Sequence, residues 1–145
     1  MARTSVKEQP AGRRRAGREA LASETATYER DLHTWPGSWM GVEKDLPLGE
    51  QLLASFRPFI AHLASSRLSP KTIRKHVNNL WTLGGEIIRH LNDDPSLRKL
   101  SADRLLRTVL HADGGPLIHN GLEDEQRSFD STCRRLHRFL TQPQH

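Results

Sequence analysis

Lys71, Arg74, Lys75 and Asn78 succeed one another at helical spacing, and Arg89 follows about three turns later. At about 100° per residue, this spacing gathers the five side chains on one flank of an α-helix. Lysine and arginine neutralise phosphate, while asparagine and arginine can bond base edges bidentately, so the mixture suits a nucleic-acid ligand. Asn79, Thr82 and Glu86 flank the cluster, and Glu86 is its one acidic neighbour. Immediately upstream stands Ser69-Pro70. The serine hydroxyl can cap free amides, and the proline sits where its missing donor is not needed. The amides of Lys71 and Thr72 are then expected to point outward as a seat for phosphate.

Two further basic groups accompany this helix. Arg127, Arg134 and Arg138 recur at spacings of seven and four, with Asp130 at helical contact distance from Arg127 and Arg134. Intrahelical ion pairs therefore compete with ligand binding there. Arg13, Arg14 and Arg15 stand in a segment with almost no large apolar residue. Metal and nucleophile chemistry find little support. Cys133 and His137 share a helix face, but Cys133 falls in an apolar stripe and no second close ligand pair accompanies it. A lone cysteine also excludes an internal disulfide and paired-cysteine zinc sites. Neither glycine pair, 84–85 nor 114–115, continues into the Lys-Ser or Lys-Thr of a phosphate loop. The expectation is a non-enzyme with no cofactor and no metal.

These residues need helices to position them. Leu52, Leu53, Phe56, Phe59, Ile60 and Leu63 predict a helix over 50–65, interrupted or kinked at Pro58. After Ser69-Pro70, the apolar side of the next helix carries Ile73, Val77, Leu80, Trp81, Gly84, Ile87, Ile88 and Leu91. Glycine at 84 and 85 suggests close approach of another helix, or a break. Asp94 and Ser101 are caps for further helical turns, the second carrying Leu105, Leu106, Val109 and Leu110. Residues 111–122, with Gly114-Gly115-Pro116, read as a loop. A last helix over 123–140 places Phe129, Cys133, Leu136, Phe139 and Leu140 in one stripe. No strand pattern or repeat appears. The expected fold is all-α, a small bundle of four to five helices.

Domain organisation follows from composition. Residues 1–24 hold Arg3, Lys7, Arg13, Arg14, Arg15 and Arg18 against only Glu8, Glu19 and Glu24. They cannot bury enough surface to offset ordering entropy, and so read as a disordered basic tail. Residues 25–48 form an irregular strap whose Trp35 and Trp39 either pack back on the domain or meet a partner. Residues 49–141 are the helical domain. Over 145 residues the net charge is +5, which attracts polyanions or anionic surfaces without specifying a fold. No apolar run approaches the roughly 20 residues of a spanning helix, and no apolar core follows the basic N-terminus as in a secretory signal. The arginines lack an amphipathic apolar face, so a membrane is not the expected partner. The cytoplasm is the default location.

The run Phe56-Arg57-Pro58-Phe59-Ile60-Ala61-His62-Leu63, then Leu68-Ser69-Pro70-Lys71-Thr72-Ile73-Arg74-Lys75-His76 and a long striped helix, resembles the core-binding domain of tyrosine recombinases, the phage integrases. The resemblance covers residues 50–91 well and the rest loosely. It implies a SAM-like helical domain that grips one face of duplex DNA while a separate catalytic domain cuts from the other. The catalytic signature is missing: no histidine has an arginine three positions on, and the one tyrosine is Tyr28, ahead of the domain. Its role is then expected to be that of a free-standing DNA-binding piece connected with DNA recombination or a mobile element. The expected contacts are Lys71, Thr72, Arg74, Lys75, Asn78, Arg89, Arg134, Arg138 and the arm Arg13–Arg15. The alternative from another class is a protein–protein interaction module, or accessory subunit, with no nucleic-acid role.

Overall fold

The computed structural model describes Tyr28 and residues 31–142, so the basic segment 1–24 lies outside the described residues. The chain divides into residues 1–33 and 34–145. In the first unit Tyr28, Asp31 and Leu32 have helical backbone. Among its described residues the second unit holds five α-helices: α1 (Trp35–Trp39), α2 (Asp45–Ala64), α3 (Pro70–Asp93), α4 (Ala102–Val109) and α5 (Glu123–Thr141). A 3-10 turn, Pro95–Lys99, links α3 to α4. Among the described residues there is no strand, only an isolated bridge between His111 and Gly114. The fold is the small all-α bundle that the periodicity predicts.

The buried positions of α2 include Leu52, Leu53, Phe56, Phe59, Ile60 and Leu63, the stripe read from spacing. The helix starts at Asp45, ahead of the expected position 50, and runs through Pro58 without ending. Pro47 lies in its first turn, where a missing N–H leaves no hydrogen bond unmade. Gly49 is where α1 presses on α2, since a Cβ there would stand 3.2 Å from the Cα of Pro36. Asp45 holds this corner together. Its Oδ2 accepts the backbone N–H groups of Gly41 and Val42, each at 2.8 Å, and Arg98 reaches Oδ1 at 2.7 Å. Burial alone would raise its pKa, but Val42, Gly41, Arg98 and Asn92 outweigh burial and hold the carboxyl below its ordinary value. Asp45→Ala leaves Arg98 and two amides without their acceptor. We expect it to lower the unfolding free energy by about 3–5 kcal/mol, the loss typical of a broken buried pair, measured by urea denaturation.

The segment read as an irregular strap contains a helical turn. Trp35 and Trp39 are both buried, so neither ring is a docking motif. The Trp39 indole N–H donates to the carbonyl of Trp81 at 2.9 Å, and its ring meets Phe56 edge-on. A Cβ on Gly84 would run into that ring, which is why a glycine stands there in mid-helix. The close approach suggested by Gly84 is therefore the approach of α1 to α3.

Helix directions follow from side-chain contacts. Asn92, near the end of α3, faces Asp45 at the start of α2, so these two helices are antiparallel. His76 bonds Thr132 while Asn79 bonds Ser128 and Thr132, so α5 also runs antiparallel to α3. Phe139 of α5 packs on Phe59 and His62 of α2. The C-terminal ends of α2 and α5 thus meet the N-terminal end of α3. The loop over 111–122 is held along the other part of the bundle: Glu86 accepts the His119 amide at 3.0 Å, and Gln126 accepts that of Ile118 at 2.8 Å.

Candidate nucleic-acid interface

The end of the bundle where α2, α3 and α5 meet has an unusual charge content. The sequence holds no aspartate or glutamate over residues 51–85, and none over residues 131–145. The fold sets residues 131–142 alongside the first stretch, with Thr132 against His76 and Asn79 and with Phe139 against Phe59. Arg67 lies exposed in the α2–α3 connection, and Lys71, Arg74, Lys75 and Asn78 are exposed on α3. On α5, half-buried Arg135 follows Thr132, which meets His76 of α3, and exposed Arg138 lies one turn further toward the same end of the bundle. Among the described residues, no carboxylate pairs with any of these cations, whereas Arg98, Arg107 and Arg127 elsewhere each have one.

The junction behind this surface is polar and satisfied. His76 Nδ1 lies 2.6 Å from Thr132 Oγ1, and Asn79 Nδ2 donates to the same oxygen at 2.9 Å. Burial, then the charges of Arg135 and Lys75, push the His76 pKa down to about 4. Both charges are near enough to disfavour a proton on this one histidine, one from α3 and one from α5. His76 is therefore neutral at pH 7, a fixed strut between α3 and α5 and not one of the cations.

Several expected site residues are placed differently. Ser69 caps α3 as its sequence implies, but its Oγ accepts the Thr72 amide at 3.1 Å and donates to Thr72 Oγ1 at 3.0 Å. The Thr72 N–H is therefore committed to the cap, and the outward pair of amides reduces to that of Lys71. Arg89 is about 27 Å along the helix from Lys71 at 1.5 Å per residue, and lies 3.8 Å from Glu86. It is not part of the same patch. Arg134 donates to the carbonyl of Asp113 at 3.2 Å and faces the 111–122 loop. Asp130 does not bridge Arg127 and Arg134: it accepts from the Gly115 amide and from Gln126, and Arg127 pairs instead with Asp124 at 2.9 Å. Arg13, Arg14 and Arg15 lie outside the described residues.

Sequence reasoning missed Arg135 and Arg67. Arg135 sits beside the apolar stripe of α5, so a projection of that helix alone gives no reason to select it. Its position three residues after Thr132 matters only once Thr132 is known to face α3. Cys133 is fully buried, and burial together with the Asp130 carboxylate pushes its thiol up to about 12 against the opposing effect of Arg134. It is a packing residue, a protonated thiol beneath Gly115.

No protein-family model matches the chain, and neither the curated proteins nor the solved structures offer a match. No helix among the described residues is long and apolar enough to cross a membrane.

Proposed function

We propose that this protein binds double-stranded DNA, with the cationic end of the bundle lying against the phosphate backbone. One observation carries the reading. Lys71 and Arg74 occupy the opening turns of α3, which contain no acidic residue, although the helix dipole favours negative charge there. Cations at that end work against the helix and leave it able to attract an anion. A merely solvated face would gain stability from acids in those positions, as α5 does with Glu123, Asp124 and Glu125. Lys71, Arg74, Lys75, Arg135 and Arg138 are the phosphate-contacting set, and Asn78 is placed to bond a base edge or sugar. The likeness of residues 50–91 to a recombinase core-binding domain supports the same reading, with the chain acting as a DNA-binding piece and not as a catalyst.

Fluorescence anisotropy of labelled duplex DNA across a salt series tests it. Each phosphate neutralised contributes about 0.9 to the log–log slope, so engagement of this set gives a slope of about −4 to −5. Absence of binding near physiological salt, or affinity indifferent to salt, rejects the reading.

A further inference from the structure

The exposed ribbon of α3 does not end with Asn78. Lys71, Arg74, Asn78 and Trp81 follow one another at steps of three, four and three, so they line one strip of the helix. The sequence pattern puts Trp81 on the apolar side, yet it is 45% exposed, while Trp35 and Trp39 are buried. The ring is also fixed in place. Its Nε1–H donates to Ser38 Oγ at 2.9 Å, and that hydroxyl donates to the carbonyl of Trp35 at 2.7 Å. An anchored indole therefore stands in solvent at the end of a strip whose two cations, Lys71 and Arg74, pair with no carboxylate among the described residues. Arg74 and Trp81 are about 10 Å apart along the axis, which spans about three stacked steps of one strand at about 3.4 Å each.

An aromatic face beside a cationic track has a definite chemical use. Phosphates lie on the cations and a base stacks on the ring, whatever its identity, because every base has a π-face. A base inside an intact duplex is already stacked on both sides and cannot offer that face. We infer that Trp81 is a stacking platform for an unpaired base, and that duplex DNA interrupted by a single-stranded gap is the preferred ligand of this surface. The inference rests on the DNA-binding reading above and specifies its substrate class.

The test compares a fully paired duplex with the same duplex carrying a short gap, by anisotropy, for the full chain and its Trp81 variants. The wild type is expected to bind the gapped DNA about five- to a hundredfold more tightly, the range that stacking of one base provides. Trp81→Ala brings the gapped affinity down to that of the duplex and leaves duplex affinity within about twofold, since the phosphate contacts that set it are untouched. Trp81→Leu keeps apolar volume without a π-face and also loses the preference, whereas Trp81→Phe retains most of it; circular dichroism verifies that each variant is folded. Equal affinity of the wild type for both DNAs, with Trp81→Ala altering neither, overturns the inference and leaves the DNA-binding reading standing. If neither DNA binds, both readings fail. Met40 and Val42, exposed in the chain just after Ser38, allow the ring to serve a protein contact instead. A sedimentation coefficient that changes in Trp81→Ala while the gap preference does not would assign the ring to self-association and likewise overturn the inference.

Discussion

Exchanging Lys71, Arg74 and Lys75 together for glutamine is expected to weaken duplex binding on the order of a thousandfold or more at low salt, because each of the three charge-assisted contacts contributes about 1.5 kcal/mol or more. The log–log salt slope should fall by nearly three, at about 0.9 per phosphate lost. A second triple variant at Lys44, Lys99 and Arg104 removes the same charge elsewhere. Those residues are exposed at the opposite end of the bundle or on α4, and have acids close by in sequence: Glu43 and Asp45 beside Lys44, Asp94 before Lys99, and Asp103 beside Arg104. If only the overall positive charge mattered, the two variants would lose affinity equally. Binding by the proposed surface requires the first to lose most and the second little. The first substitution also has a stability signature. It removes cations from the positive end of the α3 dipole, so its melting temperature should hold or rise while affinity collapses. A fall in both together would mean that these side chains support the fold, and the binding assignment would fail.

What the sequence makes legible is what depends on local spacing. The Ser69 cap, the amphipathic pattern of α3, the stripe of α5 and the loop over 111–122 all appear where expected, because each is decided by residues within a turn or two. The departures are tertiary. Asp45 opens α2 early, with its carboxylate held by the Val42 and Gly41 amides and, from positions distant in sequence, by Arg98 and Asn92, and no pattern around Leu46-Pro47 announces the distant pair. Trp81 fits the apolar side of a helical projection. However, Trp39 occupies the space over Gly84 and hydrogen-bonds the Trp81 carbonyl, so the second indole remains outside the core. Glu86 looks like a stray acid on a basic face, but the structure turns it inward to accept the His119 amide. The candidate site divides in the same way. Its α3 half is readable from one helix, whereas Arg135 joins it only through the pairing of Thr132 with His76. The consequence for the charge pattern is considerable: with Glu86 withdrawn and Arg135 added, the face is more uniformly positive than α3 alone suggests.

The joint between those two halves should respond to acid. Thr132 Oγ1 accepts a hydrogen bond from Asn79, so its one proton is available for His76 Nδ1, and a neutral imidazole accepts it. Protonation turns Nδ1 into a donor, leaves the Thr132 proton without its acceptor, and adds a positive charge on which Arg135 and Lys75 already act unfavourably. The folded pKa of about 4 lies below the ordinary 6.5. The unfolded chain therefore takes up this proton first as the pH falls. Stability from the neutral histidine is full above about pH 6.5 and declines toward pH 4. The whole effect is on the order of 3 kcal/mol at about 1.4 kcal/mol per pH unit, with its size set by how far the pKa is displaced. Urea unfolding between pH 7 and pH 4 should show this decline in the wild type. His76→Gln can bond Thr132 but cannot titrate in this range, and should flatten the profile by most of that amount even if it is less stable at pH 7. Parallel profiles for the two proteins would show that the acid sensitivity belongs to other groups. In the flattened case, the contact that aligns the α3 and α5 cations is one that acid breaks, and DNA affinity should fall as the pH approaches 4, a range in which the lysines and arginines remain fully charged.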